Sequence, residues 1–227
     1  MRYLVILISV VVLSSCEPKV LFENALPPDT KPLSTIPVEF QGVFYSECDS
    51  TVLHATSDVI YTDAYFQFVT TVTSVQEREE CKITDQGFYL HGTKECAPFE
   101  YLNGDTILVK LHQKDTMFHI SKGQVAKLYK GRLFLNSRDV NNNWMTSIVT
   151  PGEAGRLHWD LIDIPNKVDK IKKITSDYTS YKRSDDSEIF VIKPTQIEFE
   201  KLLSKEYLTE CDVFIPLTFQ LEYLYEK

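Results

Sequence analysis

Between Phe40 and Ile164 the chain alternates short apolar runs with polar residues and turn signals. Tyr65, Phe66, Phe68, Val69 and Val72 form a β-branched and aromatic run with threonines between them. Ile107-Leu108-Val109 and Met117-Phe118-His119-Ile120 are similar runs. Asp85-Gln86-Gly87, Asn103-Gly104, Lys114-Asp115, Lys122-Gly123, Asn141 to Asn143 and Pro151-Gly152 read as the turns between them. Many short strands at this spacing predict a mainly β domain over 39–165, an antiparallel meander closed as a barrel or folded as a sandwich. Asn103-Gly104 is the strongest turn signal, because a type I′ hairpin needs positive φ at both central residues. It predicts a hairpin joining Phe99–Leu102 to Thr106–His112. A turn at Lys114-Asp115 would bring His112 and His119 onto neighbouring strands.

The last 60 or so residues change character. Val168, Ile171 and Ile174 recur every third residue among lysines and aspartates, which predicts a short amphipathic helix. Pro194-Thr195-Gln196-Ile197-Glu198 carries a second helix start, with Thr195 able to cap free N–H groups and Glu198 three residues later, as in a capping box. Phe199, Leu202 and Leu203 would be its buried stripe. Phe219, Leu221, Tyr223 and Tyr225 alternate with Gln220, Glu222 and Leu224, which reads as a terminal strand docked on a sheet. Residues 166–227 are thus expected to be an α+β element of two short helices and terminal strands packed on the β domain. A faint echo relates Phe40-Gln41-Gly42-Val43-Phe44 to Tyr129-Lys130-Gly131-Arg132-Leu133, each with a glycine early in an expected strand.

At the start of the chain a different pattern rules. Arg2 is followed by an apolar stretch from Tyr3 to Val12 and then Leu13-Ser14-Ser15-Cys16. The stretch is near ten residues, well under the roughly 20 that span a hydrocarbon core, so it reads as a cleaved secretory signal over 1–15 and not as a transmembrane helix. Leu13-Ser14-Ser15-Cys16 resembles the bacterial lipobox at all four positions. That resemblance implies cleavage before Cys16, acylation of its thiol and modification of its amino group. Each buried methylene is worth about 0.8 kcal/mol, so two or three acyl chains hold a protein durably on a membrane. The chain as a whole looks like the small lipoproteins of bacteroidete-type bacteria, a group with no assigned activity. Surface-exported members usually carry an acidic cluster after the cysteine. Here only Glu17 precedes Pro18, which favours the periplasmic side of the outer membrane over the cell surface. Residues 16–38 hold half of the ten prolines and read as an extended tether of about 3.1 Å per residue. Val20, Leu21 and Phe22 within it could instead pack on the domain.

Charge and cysteines narrow the setting. The chain of 227 residues has a net charge of −8, and loss of Arg2 with the signal takes it to −9. An acidic chain without a basic stripe argues against a nucleic-acid partner and against polybasic attachment to lipid. Of five cysteines, lipidation would use Cys16. Cys48, Cys81, Cys96 and Cys211 are an even remainder in an oxidising compartment, which suggests two disulfides. Cys81–Cys96 with Cys48–Cys211 leads among the three pairings, because short loops close most easily. The midpoint of 81 and 96 falls at Phe88-Tyr89, which is no turn, so the two would not face each other across one tight hairpin.

No residue set reaches a catalytic or metal signature. His112, His119 and Asp115 could approach one another for zinc, but no close-spaced His or Cys pair supports a metal. No nucleophile elbow and no glycine-rich phosphate cradle occur, and no cofactor is implied. The Glu77-Arg78-Glu79-Glu80 run reads as a solvated turn, and Asp185-Asp186-Ser187-Glu188 as a loop tip lacking the glycine and glutamate spacing of a calcium loop. Aromatics are plentiful. Trp144 and Trp159, in the strands expected around Pro151-Gly152, would form a binding patch if both face outward and core if both face inward. The expectation is a lipid-anchored envelope protein, a non-enzymatic binding or assembly module contacting a protein or glycan. An envelope hydrolase with convergent acids or histidines and an immunity or inhibitor protein are the alternatives.

Overall fold

The computed structural model describes residues 20–46, 48–90, 96–121, 123–162, 168–183 and 188–217. The signal, Cys16, His91, the Asp185–Ser187 loop tip and the expected strand at Phe219–Tyr225 lie outside these residues.

The fold is mainly β with three short α-helices among the described residues. In chain order come β1 (Val20–Phe22), β2 (Gly42–Ser46), β3 (Val52–Ala55), β4 (Val59–Thr71) and α1 (Val72–Gln76). Next are β5 (Cys81–Thr84), β6 (Gly87–Leu90), β7 (Cys96–Ala97), β8 (Phe99–Asn103) and β9 (Thr106–His119). Then follow β10 (Gln124–Tyr129), β11 (Arg132–Arg138), β12 (Trp144–Pro151) and β13 (Leu157–Ile162). The last described elements are α2 (Val168–Ile174), β14 (Tyr178–Lys182), β15 (Glu188–Ile192), α3 (Gln196–Leu202) and β16 (Leu208–Pro216).

Two compact units interleave along the chain. Unit 1 gathers the described residues up to Leu33, Ser121–Thr150 and His158–Asp212; unit 2 gathers Ser34–Ile120, Pro151–Leu157 and the chain from Val213. The expected split into 39–165 and 166–227 is therefore not the division seen.

In unit 1 the strands run β14-β15-β1-β12-β13, with β11 on β12 and β10 on β11. β1 lies parallel to β15, Val20 opposite Phe190 and Phe22 opposite Ile192, which makes the sheet mixed and not purely antiparallel. Its three residues are at most 1% exposed. Val20 and Phe22 join Phe134, Ile148, Ile171 and Phe199 in one core, so α2 and α3 cover the face that β1 presents. The α3 start follows its local chemistry. The Glu198 amide donates to the Thr195 hydroxyl and the Glu198 carboxylate accepts from the Thr195 amide, both halves of a capping box. That bond holds the Glu198 carboxyl below its ordinary value.

The Lys130-Gly131 pair joins β10 to β11, with φ of 48° and 73° and Tyr129 opposite Arg132. Positive φ at both central residues is the type I′ pattern. Gly131 is thus a turn residue, while Gly42 opens β2 at a φ of 146°. The echo between the two segments has no structural counterpart.

Unit 2 pairs the end of β16 with β2, then β3, β4, β9 and β8 in order. A second, three-stranded sheet has the order β5-β6-β7. The Asn103 hairpin forms, shifted by one residue: Asn103 pairs with Thr106 and the loop is Gly104-Asp105. Only Gly104 has positive φ, 56°, the pattern of a type II′ turn and not type I′. Lys114-Asp115 is no turn. β9 runs through it for 14 residues against the 13 of β4, from Val59 opposite His119 to Thr71 opposite Thr106. The charges are accommodated because this stretch is exposed: Lys114 stands 3.6 Å over the Tyr61 ring, and Asp115 accepts from Gln113.

The N-terminal segment is no free tether from residue 20 onward. Val20–Phe22 are an interior strand, and the loop that follows is clamped to the sheet.

Candidate functional site

Two polar constellations stand out, one buried in unit 1 and one exposed in unit 2. The buried one is built on β10 and β11. Asn136 is fully buried; its Oδ1 accepts from the Leu26 amide and the Thr146 hydroxyl, each at 2.8 Å. Its Nδ2 donates to the Leu26 carbonyl at 2.8 Å and the Val125 carbonyl at 3.1 Å. Lys127 reaches the same loop, donating to the carbonyls of Ala25 at 2.6 Å and Pro27 at 2.8 Å. Burial pushes the Lys127 amine below its ordinary value, with Asp29 working the other way. A cavity of about 160 Å³ beside it is lined by Asn24, Asp29, Lys127 and Lys193, among others. A buried amine that spends two donors on carbonyls and an amide engaged on both sides hold a loop in place. Their chemistry is positional.

The exposed constellation follows from the period of two along β4. Tyr61, Asp63 and Tyr65 share one face, and pairing brings His54 opposite Tyr61, His112 opposite Tyr65 and Lys114 opposite Asp63. Asp63 sits between two imidazoles, Oδ2 3.0 Å from His54 Nε2 and Oδ1 3.0 Å from His112 Nε2. Each imidazole also stacks on a tyrosine. His54 and Tyr61 centroids are 4.7 Å apart and nearly parallel, and His112 and Tyr65 are 4.3 Å apart. The result is a row of two imidazoles, one carboxyl group and two tyrosine rings on a sheet surface. Among the described residues no group of three or more His, Cys, Asp or Glu side chains could hold a metal ion. The zinc set weighed from the sequence does not assemble. His112 and His119 lie in the same strand, seven residues apart, and His119 is instead 3.9 Å from Asp58.

Beside this row, a groove of about 670 Å³ is lined by residues of β6, β7 and β9, including Phe88, Leu90, Ala97 and Leu111. The β4–β9 ribbon also carries much of the exposed apolar surface. Tyr65, Phe66, Phe68 and Val69 on β4 and Tyr101 and Leu102 on β8 are 36–64% exposed. β8 pairs with β9 only as far as Val109, and the Lys110 amide donates to the Pro98 carbonyl. Beyond that point, no strand among the described residues pairs with β9 on this side.

The remaining candidates resolve differently. Trp144 and Trp159 are 7% and 6% exposed, so they form no outward patch. Trp144 packs in the unit 1 core, with the Arg138 guanidinium 4.5 Å over its ring. No disulfide is found among the described residues. Cys81 and Cys96 sit on the two strands flanking β6, opposite Leu90 and Tyr89. They are two strand spacings apart, roughly 9–10 Å, and pairing with successive residues of β6 puts them on opposite faces. A disulfide needs Cα atoms within about 7 Å. Cys96 instead donates its thiol to the Gln86 carbonyl at 2.8 Å, and burial pushes the Cys81 thiol up. Cys48 and Cys211 form no disulfide either; the Cys211 thiol lies 3.7 Å from the Thr209 carbonyl. Glu77 to Glu80 follow α1 and are exposed, as expected of a solvated turn. The sequence reading missed Asp63. Its only signal is Tyr61-x-Asp63-x-Tyr65, which acquires meaning once β3 and β9 are known to flank it.

Among the described residues no helix is long and apolar enough to cross a membrane. No protein family matches the chain, and no curated protein or solved structure is found to be similar to it.

Proposed function

We propose that the chain is a lipid-anchored protein of the cell envelope, held through Cys16 on the periplasmic side of the outer membrane, and that it is a non-enzymatic binding or assembly module. The exposed apolar surface of the β4–β9–β8 ribbon carries this reading. Tyr65 and Val69 lie on one face of β4 and Phe66 and Phe68 on the other, and clustered exposed apolar side chains mark interaction sites. The adjacent tyrosine–imidazole row and the groove suit a protein or glycan, because aromatic rings supply contact area at little entropic cost. The lipobox resemblance supports the anchor. Both imidazoles spend a nitrogen on Asp63 and a ring face on a tyrosine.

Two experiments test the two halves. Labelled palmitate fed to expressing cells should enter the protein and be lost in Cys16→Ser. Envelope extract passed over the immobilised mature domain should leave one stoichiometric partner, absent from the Tyr65→Ser/Phe66→Ser double variant. Equal retention by both proteins would remove the ribbon from the reading.

A further inference from the structure

The buried position of β1 limits how far this protein can stand from a membrane. Only Glu17, Pro18 and Lys19 separate Cys16 from Val20. A fully extended chain advances at most about 3.6 Å per residue, so the Cα atoms of Cys16 and Val20 lie within about 14 Å of each other. Val20 is 0% exposed and Phe22 0% exposed, inside the core that α2 and α3 cover. The following loop is held by Asn136 and Lys127, so the leash cannot lengthen by peeling β1 away without opening that core.

Direction follows from register. β1 is parallel to β15, with Val20 opposite Phe190, and Phe190 is in turn opposite Ser180 of β14. The start of β1 therefore points to the same end of the sheet as Glu188 at the start of β15 and Lys182 at the end of β14. Ser176, before β14, lies towards the other end.

We propose that unit 1 is held close to the phospholipid headgroup layer by a three-residue leash, with the end of its sheet at which β1 starts turned towards the membrane. This rests on the lipid anchor at Cys16. Anchor and core are in series: a force that lifts the protein off the bilayer loads the pairing of Val20–Phe22.

The test uses the full mature protein purified with its acyl chains and inserted into vesicles of phosphatidylethanolamine and phosphatidylglycerol bearing a headgroup acceptor dye. A donor dye is placed through a noncanonical residue at Lys182 or at Ser176, leaving every cysteine in place. The two positions are six residues, roughly 20 Å, apart along the strand, so transfer from 182 should exceed that from 176 about twofold. A Gly-Ser insert of roughly 20 residues between Lys19 and Val20 adds a coil of about 25 Å and should abolish the excess. Equal transfer from both positions, or an excess that survives the insert, in a protein that floats with vesicles and has the mass of an acylated Cys16, overturns the short leash and leaves the anchor standing. An unmodified Cys16 and no flotation overturn both.

Discussion

The β1 slot of unit 1 and the β4–β9 ribbon of unit 2 solve opposite problems with similar residues. In the slot, Val20, Leu21 and Phe22 are almost wholly removed from water, and the nearby polar groups of Asn136 and Lys127 are turned onto loop carbonyls and amides. On the ribbon, Tyr65, Phe66 and Val69 remain in water, and Asp63, His54 and His112 bond to one another on the surface. Apolar content alone does not separate the two. What separates them is whether neighbours cover the face: the slot is a buried structural region, and the proposed partner-binding role of the ribbon rests on its exposure.

The largest effect should come from the slot. Phe22→Ala removes a fully buried ring and should cost about 3–5 kcal/mol of unit 1 stability, read as the shift of its denaturant midpoint. Asn136→Ala comes next. It leaves the Leu26 amide and carbonyl without their partner, at about 1–3 kcal/mol for each buried group so orphaned. An intact midpoint in either variant would mean that the N-terminal segment is dispensable to the fold.

The α3 cap should show a smaller, pH-dependent effect. Thr195→Ala should cost about 1 kcal/mol. Glu198 is held below its ordinary value of 4.5 by the Thr195 amide. The unfolded chain therefore takes up a proton first as pH falls. The stabilisation is full above 4.5 and is lost as pH drops through the lowered folded value. Glu198→Gln should accordingly be less stable than wild type near neutrality and converge with it in acid, followed by thermal melts across that range. A constant difference at every pH would exclude the carboxylate as its source.

The smallest stability change belongs to the ribbon. Tyr65→Ser/Phe66→Ser should move the midpoint by about 0.5 kcal/mol per site, the scale of one cross-strand aromatic pair such as Tyr65–His112, while abolishing partner retention. A large loss of stability instead would make these residues structural and erase the contrast with the slot.

Local signals in the sequence carried over well. The α3 capping box is complete within four residues, and the spacing of Val168, Ile171 and Ile174 marks α2. The hairpin at Asn103 was readable to within a residue. Long-range facts were not. β1 is three residues in a proline-rich stretch, too short for any period to show, and its parallel partner lies about 170 residues further on. Lys114-Asp115 looked like a turn because charged pairs usually mark one, yet β4 supplies a matching strand through it. The Asp63 row depends on register among three strands, which no single strand encodes. The cysteine count suggested disulfides, but pairing across β6 puts Cys81 and Cys96 on opposite faces.

The contrast is tested most directly by hydrogen exchange of the mature protein at neutral pH, comparing peptides that cover Val20–Leu26 with those that cover Tyr65–Val69. The structure predicts that the first segment exchanges only through unfolding of unit 1, at the slowest rate in that unit and accelerated in Phe22→Ala. Exchange of Val20–Leu26 at the rate of an unstructured peptide would contradict the account, since residues 20–26 would then be a tether and neither the slot nor the short leash would exist.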